Sequence, residues 1–172
     1  MSTKRLCIDS LGIALFVVLA LCLRVPVFEN YYLCLGYVVM MVYCYYFGAF
    51  SGVAVGTLGV VLYCVLTGGL RGMPGWAIGN LWIGLMVGMS CKQTAGIKCT
   101  LFRHIFIGMA IVLSVAAGIL GIKSMVEAFL YGQPMIVRIV KNSYAFVADV
   151  VVMLASLPIC VGLRRKIILK DK

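Results

Sequence analysis

The sequence predicts an all-α integral membrane protein: a six-transmembrane-helix bundle with both chain ends in the cytoplasm. Three observations predict it. Of the 172 residues, 64% are hydrophobic and only 12% are charged, with a mean hydropathy of +1.13. A soluble domain needs a polar shell and is nearer one half apolar, so the bilayer is the natural solvent for this chain. Apolar runs recur along it, separated by short polar or Gly-rich breaks. Finally, the basic residues gather between and beyond those runs, as the positive-inside rule requires.

Span 1 covers residues 6–23. Lys4 and Arg5 precede it, and Arg24 and Pro26 close it. This start mimics a signal peptide, but no A-x-A cleavage site follows and further spans come at once, so it reads as a retained first span. Residues 31–67 carry no charge. As one helix they would be about 55 Å long, against a hydrocarbon core of about 30 Å. The run must fold back, and the glycines of Phe47-Gly48-Ala49-Phe50-Ser51-Gly52 tolerate the turn. Spans 2 and 3 are therefore 31–47 and 51–67.

A loop with four glycines, 68–75, carries Arg71 and leads to a short span 4 at 76–90. A basic loop, 91–103, precedes span 5 at 102–122. A long connection, 123–143, holds Glu127, Arg138 and Lys141 before span 6 at 144–163. The tail is basic, beginning Arg164-Arg165-Lys166. With six spans and both ends inside, ten of the 15 basic residues are cytoplasmic and five are outside. Residues 1–172 form one membrane domain. The net charge of +10 is explained by this topology, and no nucleic-acid partner is expected.

Ionisable groups at the centre of a membrane helix cost about 2.5–3.5 kcal/mol on insertion scales, so each needs a partner or a function. Asn142, Asp149 and Ser156 recur every seven residues and share one face of span 6. That stripe points to protein interior or a wet cavity, with a structural bond from Asp149 to Arg71 or Lys123 as the plainer reading. Trp76 and Asn80 share a face of span 4 at i, i+4. A flat indole beside an amide suits a small flat or heteroaromatic ligand; an interfacial anchor and a helix-packing amide are the bland alternative. Arg71 adds a cation to a loop able to act as a lid. Lys123 and Glu127 read as a solvated pair, Asp9 as the partner of Arg5, His104 as interfacial and Trp82 as a lipid or packing residue.

Several chemistries find no support. The eight cysteines show no CxxC spacing and read as small apolar filler, so no metal is expected. No HExxH or GxSxG motif is present. Gly118-Ile119-Leu120-Gly121-Ile122-Lys123-Ser124 fails the Walker A pattern, because the residue before Lys is not Gly. The reading is therefore not an enzyme and needs no cofactor.

The run Phe47-Gly48-Ala49-Phe50-Ser51-Gly52-Val53-Ala54-Val55-Gly56 resembles the F-G-x-x-x-G-x-x-x-G signature of the substrate-binding S components of energy-coupling factor (ECF) transporters. Pro74-Gly75-Trp76-Ala77-Ile78-Gly79-Asn80, with Gly84 and Gly88, resembles the loop 3–span 4 region of the same family. The resemblance implies a prokaryotic, multi-pass plasma-membrane protein that captures a water-soluble vitamin or related micronutrient from outside. It also implies a transmembrane T component and two ATPases as partners. The ligand would lie near the outer face, at Arg71, Trp76, Asn80, Asn142 and Asp149, with Asp149 and Asn80 facing one hollow. Ser10 and Ala14 take the place of the family's A-x-x-x-A docking motif, a partial match. A ligand-free assembly subunit and a small membrane-bound enzyme are the alternatives. Riboflavin, pantothenate, thiamine and pyridoxine-like compounds all remain open as ligands.

Overall fold

The computed structural model describes residues 3–22, 25–28, 31–97 and 99–170. Among these, six helical rods run alternately up and down. They are α1 (Thr3–Cys22), α2 (Gly36–Phe47), α3 (Ala49–Thr67), α4 (Met73–Gln93), a composite rod and α7 (Met135–Lys170). The composite rod joins α5 (Thr100–Val115), a π-helical stretch (Ala116–Lys123) and α6 (Ser124–Tyr131) without a break. A 3₁₀ turn, Thr94–Gly96, follows α4. The helical expectation gains one small addition after α1. Strands β1 (Val25–Phe28) and β2 (Tyr31–Leu33) form an antiparallel hairpin with Val25 opposite Leu33.

Four rods are long and apolar enough to cross a membrane: Thr3–Cys22, Ala49–Thr67, Leu101–Tyr131 and Met135–Leu163. Helix α2 is apolar but has only 12 residues, about 18 Å. Helix α4 has 21 residues and is not among those four.

The boundaries correct the sequence reading in three places. The α2–α3 break needs one residue, Gly48, whose φ of 86° lies in the region that favours glycine. Helix α4 starts at Met73, with Pro74 in its first turn, so span 4 is longer than expected and the preceding loop shorter. The 123–143 connection is helical almost throughout. The chain reverses only around Gly132, whose φ is 62°, and Pro134 stands just before α7.

Small residues bring the rods together. At Gly84 an added Cβ would lie 2.8 Å from the Val53 nitrogen, and at Gly88 it would run into the Ala49 backbone. Helices α3 and α4 therefore cross at near backbone contact, the packing open to helices in lipid. The core is built of Phe16, Tyr37, Met40, Met41, Ile83 and Val87, with Ile107, Ile111 and Met153 from the later rods.

One end of the bundle is bound together by polar contacts. Arg5 donates to the Phe47 carbonyl at 3.2 Å, Tyr46 to the Cys160 carbonyl at 2.6 Å, and Arg103 stacks on Tyr45 at 4.9 Å. Arg5 thus serves the α2–α3 turn and not Asp9, whose carboxylate oxygens are buried without a hydrogen-bond partner among the described residues. The other end, where α1, α3 and the composite rod finish their upward course, holds the cavity.

Candidate functional site

A cavity of about 320 Å³ opens at that second end, between the last turns of α1 and α3, the hairpin, the start of α4, and α7. This is within the usual range for small-molecule pockets. Tyr63 and Trp76 give it aromatic walls, Lys123 and Asp149 give it one basic and one acidic side chain, and Thr67, Gly69 and Gly72 stand on the α3–α4 side.

Trp76 is held rigidly. Its indole N–H donates to the Tyr37 hydroxyl at 2.9 Å, Tyr37 donates to Asn80 Oδ1 at 2.7 Å, and Asn80 Nδ2 donates to the Gly56 carbonyl at 3.1 Å. Tyr63 meets the indole edge-on at 5.7 Å, and Lys123 Nζ lies 5.9 Å from its centroid. The Gly56 carbonyl, on the small-residue face of α3, thus anchors a relay that fixes the plane of a cavity wall. Each donor in it has an acceptor, so the buried polar groups reinforce one another.

Asp149 is 5% exposed and lies beside Tyr37 and Lys123. No ion pair within 4.0 Å joins Lys123 to Asp149 among the described residues. The π-helical stretch carries Lys123 to this wall. Its wider turn shifts the register of the rod and re-aims the residues after it, a device common at functional sites.

The five residues expected at the site fall into four places. Trp76 and Asp149 line the cavity. Asn80 is fully buried behind Trp76 and reaches it through Tyr37, so Asn80 and Asp149 do not face one hollow. Asn142 bridges the rods instead, donating to Ser124 Oγ at 2.9 Å and to Glu127 Oε2 at 3.2 Å. Arg71 lines a neighbouring cleft with Glu127, Tyr131 and Arg138, and Gly72 is common to both hollows. Arg71 and Arg138 both stack on Tyr131, at 5.3 and 4.9 Å, and Arg138 pairs with Glu127 at 3.7 Å. Lys123 and Glu127 are therefore not a solvated pair: Glu127 is buried in the second cluster and Lys123 serves the first.

Sequence reasoning missed Tyr63 in the cavity wall and Tyr37 behind it, and it weighed Lys123 only as a partner of Asp149 or Glu127. Tyr63 and Thr67 stand at i, i+4 on α3, a spacing visible in the sequence. Nothing in the spacing marks Tyr37. Ser10 and Ala14 are both exposed on α1, beside exposed Leu11 and Leu15, on a face turned away from the bundle.

No curated protein matches this chain. The family model described as "ECF-type riboflavin transporter, S component" matches residues 1–165, almost the whole sequence. Together with four helices of membrane-crossing length and a guest-sized cavity, this settles the lineage: the chain belongs to the S-component family of ECF-type transporters, the substrate-binding importer subunits that work in a membrane and are not enzymes.

Proposed function

We propose that this protein captures riboflavin from the extracellular side and presents it for import by an ECF complex. The observation that carries the reading is the pinned indole of Trp76 in a cavity that also holds Asp149 and Lys123. A flavin is a flat heteroaromatic ring with an imide edge and a polyhydroxylated chain. Trp76 stacks on the ring, Asp149 accepts from its N–H or chain hydroxyls, and Lys123 and Thr67 bond its oxygens. The description of the matching family supports this guest over the other vitamins.

Asn80 acts on the ligand through Trp76, Asn142 ties the composite rod to α7, and Arg71 holds the α3–α4 loop against Tyr131 beside the mouth. Ser10 and Ala14 offer the docking face for a T component, and two ATPases supply the energy. In this reading α2 and α4 lie in the bilayer with the four longer rods, making six spans, with both termini in the cytoplasm of a prokaryotic cell.

The test is a titration of the purified chain with riboflavin, followed by quenching of flavin and Trp fluorescence. Saturable one-to-one quenching is expected, with pantothenate and thiamine failing to compete. A folded chain that leaves flavin fluorescence unchanged would overturn the assignment.

A further inference from the structure

A second groove lies at the opposite end of the bundle from the vitamin cavity. It runs between the first turns of α5 and the stretch of α7 that ends at Gly162, and measures about 750 Å³. Leu101, Leu154, Leu157 and Val161 make its walls apolar. Two features set it apart from plain lipid-facing surface. His104 lines it, and its Nε2 is buried with no hydrogen-bond partner among the described residues. Pro158 also lines it and has no N–H, so the Leu154 carbonyl four residues back loses its helical bond. Unpaired polar atoms beside hydrocarbon are costly, so the fitting occupant carries polar atoms as well as a chain.

Charge completes the description. Helix α7 continues past Gly162 through Arg164, Arg165 and Lys166, and Lys92 and Arg103 stand at the same end of the bundle. No Asp or Glu occurs in residues 92–104 or 150–170. We infer that the groove is a binding site for an anionic diacyl phospholipid of the phosphatidylglycerol type. One acyl chain lies along the leucines, the ester and glycerol oxygens reach His104, and the phosphate is drawn by the net positive charge of this end of the chain. Basic residues at a membrane surface select anionic headgroups in this way. This site stands independently of the riboflavin reading.

The test uses the full chain in mild detergent, offered phosphatidylglycerol or phosphatidylcholine of identical acyl composition, with retained lipid counted by native mass spectrometry. Phosphatidylglycerol is expected to be retained selectively. The double substitution Arg165→Gln, Lys166→Gln should weaken its retention by about fivefold per charge removed. Val161→Trp, which fills the groove, should abolish it while helix content by circular dichroism stays unchanged. Equal retention of both lipids, or undiminished phosphatidylglycerol on the filled groove, would overturn the inference.

Discussion

Asp149 and Tyr37 show how single side chains divide the work at the cavity. Asp149 is buried at the cavity wall beside Tyr37 and Lys123, with no ion pair within 4.0 Å among the described residues. Asp149→Asn keeps the volume and removes the charge. Hydrogen bonds to charged groups contribute about 1.5–3 kcal/mol, so riboflavin affinity should fall about ten- to a hundredfold in fluorescence titration. Tyr37 has a different role, since its hydroxyl both accepts from Trp76 and donates to Asn80. Tyr37→Phe leaves two buried polar groups without their partner. Thermal unfolding in detergent should show a loss of about 1–3 kcal/mol. Ligand affinity should drop as well, because the indole plane is no longer pinned. An unchanged titration would place the relay in folding alone.

Among the elements, the α3–α4 crossing and the α3–α4 loop carry the consequences. Gly88 sits where an added Cβ would strike the Ala49 backbone, which cannot move aside as a flexible side chain can. Gly88→Ala should therefore cost about 1–3 kcal/mol through overpacking, read as a lowered unfolding temperature. The loop carries Arg71, stacked on Tyr131 at the turn between the composite rod and α7. An exposed cation–π contact contributes about 0.5–1 kcal/mol. Arg71→Gln should then speed ligand release about two- to fivefold in stopped-flow fluorescence, with a smaller change in the association rate. Equal changes in both rates would deny the loop a closing role.

For the molecule as a whole, the alternating rods set the cavity at one end and the Arg5, Phe47 and Arg103 contacts at the other. Cys22 ends α1 near the cavity, whereas Cys7 and Cys99 are exposed at the far end. In whole cells, an impermeant maleimide should label a variant retaining only Cys22. Variants retaining only Cys7 or Cys99 should react only after the membrane is opened. The reverse pattern would invert the topology and put the cavity inside the cell.

The helical, membrane-suited character of the chain and the points where it reverses were legible in the sequence because they depend on composition and order. Apolar fraction, the lengths of apolar runs and the Gly-rich breaks announced a helical membrane protein and put the α2–α3 fold-back within the stretch 47–52 that holds Gly48. Trp76 and Asp149 were legible as cavity residues because a polar or amphipathic group within an apolar run needs a reason to be there. Tertiary structure alone decided which polar groups meet. Asn80 turns to Tyr37, Asn142 to Glu127 and Arg71 to Tyr131, while Lys123 reaches the cavity through a π-helical register shift. Periodicity along one helix states which face a residue occupies, but not which neighbouring helix lies against that face or at what height. Those two quantities follow from how closely the glycine-lined rods approach one another, a property of pairs of helices that no single segment contains.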